Sequence, residues 1–236
     1  MPVDKEKDLI KLLTAVRDEY RYDLNINSRN DLKFQGCSKK PTCGKIVFDN
    51  LMVFKHIIQF TDNMKSTSIY NSNRVKYNKE HKPYLNILES FDCKFGFLQS
   101  KDNFNGFYFD TYAKKVELTF RFLLKSCCHS MFDINNPIKI TKFYFDGHEH
   151  HNGEIDLDFI LKSGFKSYCD LSDVKILDSC QVKNRDNNTK VMINFVDNIV
   201  GAFEAKLMSR ENFKNILFPI NDIFERMWNK EIFRRK

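Results

Sequence analysis

The segment Lys190–Leu207, KVMINFVDNIVGAFEAKL, constrains this chain more than any other. Met192, Phe195, Val196, Ile199 and Phe203 recur at helical spacing, which predicts an amphipathic helix laid against a core. Asp197 sits at the edge of that stripe, and Gly201 follows one turn later on its side. A glycine inside a helix costs about 1 kcal/mol against alanine, and here it leaves space beside the carboxylate. An acid next to a gap on a packed helix suits a metal ion. The alternative is a helix-edge Asp that faces solvent.

A second acid favours the first reading. Ile138–Asp146, IKITKFYFD, alternates apolar residues and ends in a carboxylate followed by Gly147. It predicts a buried strand with Asp146 at its C-terminal edge, where ligands usually bind in open α/β sheets. Ile155–Lys162 reads as a helix, and Asp173–Ser179, DVKILDS, as a second strand carrying Asp178. A strand–helix–strand crossover of this kind favours a parallel pair. The pattern is α/β, with Asp146, Asp178 and Asp197 in a short span.

The strand FYFD, the strand ending ILDS and the helix INFVDNIVGAF together resemble the C-terminal half of an RNase H-like family, domain of unknown function 3800. That family ends in a helix similar to LQLADLIAGAL, and Ile193–Phe203 occupies its place. Upstream, Asp31-Leu32-Lys33-Phe34-Gln35-Gly36 is similar to the family's acidic-x-Lys segment, which precedes a helix like Ile46–Phe60. The resemblance spans roughly residues 25–208. It implies an RNase H-like mixed sheet flanked by helices, and a metal-dependent nuclease acting on DNA or RNA. It also implies Asp146 and Asp197 as ligands for Mg²⁺ or Mn²⁺, with Asp31 as a further acid. The family opens with a strand ending in a D-E-S-G-like motif, and no such strand is visible here. Residues 1–30 read instead as a helix (Leu9, Ile10, Leu12, Leu13, Val16) and a polar loop. The chain then begins late, a second chain supplies the strand, or the domain is a non-catalytic subunit that contacts protein or nucleic acid. The family suggests a phage, mobile-element or bacterial antiviral-defence context.

Two-metal phosphodiester hydrolysis needs clustered carboxylates from elements that converge. Asp146 and Asp197 meet that requirement in principle, and Asp178 is the reserve, since its strand would lie beside that of Asp146. His148, Glu149, His150 and His151 follow Asp146 directly. The functional reading makes His148 or Glu149 a ligand or proton shuttle. The bland reading makes the run a solvated loop, because zinc-type spacing is absent. No Walker A, G-x-G-x-x-G or G-x-S-x-G motif occurs.

The chain carries 38 Lys plus Arg against 31 Asp plus Glu, a formal +7, which is compatible with nucleic acid as a partner. Basic clusters lie at Lys39-Lys40, at Lys114-Lys115 and at Arg234-Arg235-Lys236. Lys33, Lys39, Lys40, Arg234 and Arg235 are the candidate phosphate contacts, and the alternative is that such runs are solvated faces. A protein partner or a homo-oligomer is also compatible with the sequence. No signal peptide or bilayer-length apolar run is visible, which predicts no membrane partner and a cytoplasmic location. The 7 cysteines are irregularly spaced and form no C-x-x-C pair, so they read as reduced, packed thiols.

The predicted organisation has three parts. Residues 1–30 form an N-terminal helix and loop. Residues 31–208 form the α/β domain, with Pro41 and Gly44 as breakers and a helical stripe over Thr111–Cys128. Residues 209–236 form a long terminal helix with an interruption at Pro219. Its apolar face, from Phe213 to Trp228, is expected to pack on the domain.

Overall fold

The structure is a computed structural model that describes residues 1, 3–20, 34–38, 41–59, 111, 114, 117, 135, 137–146, 169, 170, 172–178, 187–221 and 223. The chain divides into two compact units. One comprises Met1–Lys94 with Lys190–Lys230, and the other Phe95–Thr189 with Glu231–Lys236. The described residues are mostly helical with short parallel strand pairs, a mixed α/β composition.

The first unit is built around helices. A 3-10 turn, Val3–Lys5, leads into α1, Glu6–Glu19. Leu9, Leu12, Leu13 and Val16 are buried, as their spacing predicts. Helix α2 runs over Pro41–Gln59. Its start lies five residues before the expected Ile46, because Pro41 opens the helix instead of breaking it. At the first helical position proline lacks only an N–H that would have no partner, and its fixed φ suits the helix. Gly44 is also helical, and a Cβ there would lie 3.3 Å from Ile216 Cδ1. Ile46, Val47, Leu51, Met52, Val53, Phe54 and Ile57 are all buried. So are the polar Asp49, Asn50 and Lys55, which makes α2 the central helix of this unit. The Tyr20 hydroxyl donates to Asp49 Oδ2 at 2.8 Å and ties the end of α1 to α2.

Helix α3, Asn187–Leu207, contains the segment that dominated the sequence. Met192, Phe195, Ile199 and Phe203 are buried, and the Phe203 ring meets Phe54 of α2 edge-on at 6.1 Å. Val196 departs from expectation, since it is 51% exposed. The buried face turns the other way, through Val191, Asn198, Ala202 and Ala205.

Beyond α3 the long helix expected from Ser209 is divided. Ser209 has φ 50°, the left-handed conformation that ends helices. Its N–H bonds Lys206 O at 3.1 Å, and the Arg210 N–H bonds Ala205 O at 3.0 Å. That pairing is a Schellman cap, and it stops the helix. A 3-10 turn, Glu211–Phe213, then α4, Lys214–Leu217, and a second 3-10 turn, Phe218–Ile220, follow. Phe213, Leu217, Ile220 and Ile223 are buried, so the described part of the terminal stripe packs on its own domain. Phe224, Met227 and Trp228 lie outside the described residues.

In the second unit the segment 138–146 is extended. It splits into β1, Ile138–Lys139, and β2, Lys142–Phe145. These pair in parallel with β3, Cys169–Asp170, and β4, Lys175–Asp178, respectively. The expected parallel pair is present, and the expected single strand is interrupted. Ile138 faces Cys169 whereas Lys142 faces Lys175, so the partner strand carries two extra residues between the ladders. Asp170 Oδ1 accepts the Ser172 N–H at 2.9 Å and holds that excursion as a turn. The same N–H lowers the Asp170 pKa below the usual carboxylate value. Lys139 Nζ bridges across to Asp173 at 2.5 Å, and this contact raises its pKa.

Within the stretch expected to be helical over 111–128, Lys114 and Glu117 are helical. Thr111 Oγ1 accepts the Lys114 N–H at 3.3 Å, which is N-cap geometry. The rest of that stretch, the expected helix 155–162 and the expected strands within 84–109 lie outside the described residues. Among the described residues no helix is long and apolar enough to cross a membrane.

Candidate functional site

Two separate constellations involve the acids singled out in the sequence. The first is the C-terminal edge of the β2–β4 pair. Phe143, Tyr144 and Phe145 form the body of β2, with the Phe143 and Phe145 rings 6.4 Å apart on one face. Phe145 is buried, and Asp146 follows it exposed. The parallel register sets Phe145 opposite Asp178, the last residue of β4. Asp146 and Asp178 therefore end two neighbouring parallel strands at the same edge. Apolar residues hold the strands while the acids occupy the positions where pairing stops.

The second constellation surrounds Asp197 and belongs to the other unit. Phe34 opens a 3-10 turn, Phe34–Ser38, whose first N–H groups have no partner within the turn. Asp197 Oδ2 accepts the Phe34 N–H at 3.2 Å, and so caps the turn from a different element. One turn along α3, Gly201 lies directly against the Phe34 side chain. A Cβ at Gly201 would sit 2.5 Å from both Cβ and Cγ of Phe34. The space left by this glycine is filled by Phe34, which also packs on Phe213 at 4.9 Å. The gap is a seat for an aromatic ring.

Cys37, in the same turn, donates its thiol to Phe34 O and is hydrogen-bonded with Cys43 at the start of α2. Both thiols are free and buried. The Cys43 hydrogen bond first, and burial second, push the Cys37 thiol far above its usual pKa, with a smaller contribution from Asp197. These are packed thiols held in their protonated form, as their irregular spacing suggested.

Asp146 and Asp197, expected to share an ion, fall in different compact units. Asp31, Lys33, Lys39, Lys40, His148, Glu149, Arg234 and Arg235 lie outside the described residues. Among the described residues no group of three or more His, Cys, Asp or Glu side chains gathers to hold a metal ion. An Mg²⁺ ion needs only one or two protein carboxylates beside water and substrate phosphate, and the exposed Asp146 is a donor of that kind.

Sequence reasoning missed Phe34 as the occupant of the Gly201 gap. It also missed Asn198, which is fully buried and has both amide atoms unpaired. The Asn198 position was readable, since it shares the helical phase of Val191 and Ala202. The Phe34 contact carried no local signal.

Searched against known protein families, curated proteins and solved structures, the chain matches none.

Proposed function

We propose that this chain is an RNase H-like, nuclease-derived domain that acts on DNA or RNA, with its divalent-ion site at the C-terminal edge of the β2–β4 pair. The observation that carries this reading is the register that sets Phe145 opposite Asp178 and so ends two parallel strands in acids, Asp146 and Asp178. The edge is the one where open α/β sheets take ligands. In this reading Asp146 holds Mg²⁺ or Mn²⁺, Asp178 at the end of the neighbouring strand is the reserve acid, and His148 and Glu149, next along the chain, supply further ligands or a proton shuttle. A bound ion there would generate the attacking hydroxide and stabilise the leaving oxygen. The family resemblance and the formal charge of +7 add support. The cytoplasmic location and the antiviral-defence context rest on sequence and resemblance alone.

A second reading, a non-catalytic subunit that keeps the shell for protein or nucleic-acid contacts, draws on Asp197. Its carboxylate is engaged by the Phe34 N–H, which gives it a structural task. One experiment separates the two. The full chain is incubated with labelled single- and double-stranded DNA and RNA at millimolar Mn²⁺. The nuclease reading expects cleavage that Asp146→Asn abolishes. Binding without cleavage selects the non-catalytic subunit. Neither binding nor cleavage rejects both nucleic-acid readings.

A further inference from the structure

We propose that the cleft beyond the C-terminus of α3 binds a phosphate group of the nucleic-acid backbone, through Lys206, Arg210 and Lys214. The proposal rests on the nucleic-acid reading for the source of the phosphate, and on the cleft itself for the chemistry.

The cleft has a volume of about 190 Å³, and its lining includes Lys206, Ser209, Arg210, Glu211, Lys214 and Asn221. A water molecule occupies about 30 Å³ of liquid, so a phosphoryl group with part of its sugar fits. Three cations line the space against one carboxylate, Glu211. Their charges are only partly answered by the protein. Lys206 Nζ donates to the neutral Asn221 Oδ1 at 2.8 Å, which positions the ammonium without neutralising it. Arg210 makes a 3.4 Å contact with Glu204, long for an ion pair and exposed on both sides. Among the described residues Lys214 has no ion-pair partner and is exposed.

One competing explanation is that these cations only complement the negative end of the α3 dipole. That effect is confined to the last turn of a helix. Lys206 lies there, but Lys214 lies seven residues beyond Leu207, past the cap, and belongs to α4. The Schellman turn at Ser209 brings the two groups to one cleft. An arginine fork with two lysine point charges is a donor set suited to phosphate oxygens.

The test uses the full chain and a labelled single-stranded oligonucleotide, with affinity measured by fluorescence anisotropy across a salt series. On a single strand each phosphate contact contributes about 0.7 units of slope in log K against log salt. The double variant Arg210→Gln/Lys214→Gln should weaken binding roughly tenfold or more at low salt and lower the slope by about 1–2. Lys7→Gln/Lys11→Gln, which removes the same charge from the exposed face of α1, is the control and should change both far less. Equal losses in the two double variants would reduce the effect to net charge and overturn the proposal, as would unchanged binding in the cleft variant. Inorganic phosphate titrated into ¹⁵N-labelled protein provides the second arm. If the oligonucleotide does not bind but phosphate shifts the amides of residues 206–214, the cleft stands as a phosphate site and the nucleic-acid reading fails. If neither ligand binds, both fail.

Discussion

The carboxylate of Asp197 accepts the backbone N–H of Phe34 at 3.2 Å, across 163 residues of sequence. The 3-10 turn that begins at Phe34 thus receives its cap from α3, while Gly201 one turn later admits the Phe34 ring. Hydrogen bond and ring seat act on one residue, so they should stabilise the turn together.

The cap leads to the first prediction. Asp197→Ala leaves a partly buried N–H without an acceptor and should destabilise the protein by about 1–2 kcal/mol. Asp197→Asn keeps an acceptor oxygen and should lose less than half of that. Urea denaturation of the two variants measures both. If Asp197→Ala is as stable as the wild type, the contact contributes nothing.

Gly201→Ala brings two opposing effects. Alanine gains about 1 kcal/mol of helix propensity, while overpacking costs about 1–3 kcal/mol. The steric effect should win, because Phe34 is buried and backed by Phe213. A net loss of about 1–2 kcal/mol is expected. In a Phe34→Ala background the penalty should shrink without vanishing, since the Phe34 Cβ is itself 2.5 Å from the new methyl. A double-mutant cycle reads this coupling, and a coupling of zero would show that the two sites do not meet.

Asn198 is 0% exposed, and neither its Oδ1 nor its Nδ2 has a partner. A buried amide without partners costs about 1–3 kcal/mol. Asn198→Leu, close in size, should therefore raise the melting temperature by a few degrees. A fall in melting temperature would show that the amide is bonded in solution.

The Cys37 thiol sets an alkaline limit. Its folded pKa is raised, so above the ordinary thiol range near pH 8.5–9 the unfolded chain binds fewer protons than the native one. Stability from this group is complete below that range and declines as pH rises through it. Cys37→Ala should lose stability less steeply than wild type above pH 9, as followed by thermal melts across pH. Identical slopes would show that Cys37 ionises as freely in the native protein as in the unfolded one.

Much of the helical content was legible because helical burial repeats within the chain itself. Leu9, Leu12, Leu13 and Val16 mark one face of α1, and Met192, Phe195, Ile199 and Phe203 mark that of α3. The parallel pairing of the strands before Asp146 and Asp178 also followed from local pattern, since a strand, a crossover and a strand favour it. The excursion at Ser172 and Asp173 did not, because a two-residue offset depends on how one strand fits another.

The phase of α3 was legible only in part. Hydropathy alone puts Val196 inside, and the structure leaves it half exposed. Packing area decides which side of a wide stripe faces the core, and that area is set by α2 and Phe34, not by α3. The helix start at Pro41 and the stop at Ser209 have the opposite origin: both are local backbone effects, and proline φ and a left-handed cap account for them.

By itself the sequence determined which segments are amphipathic and where strand-ending acids stand, since those properties depend on residue spacing of 2 or 3.6. Only the tertiary structure decided what fills the space beside Asp197. An acid and a glycine on a helix are compatible with an ion or with an aromatic ring, and no local rule distinguishes them. The choice falls to Phe34, whose N–H lacks a partner in its own turn and whose ring fits where a Cβ is absent.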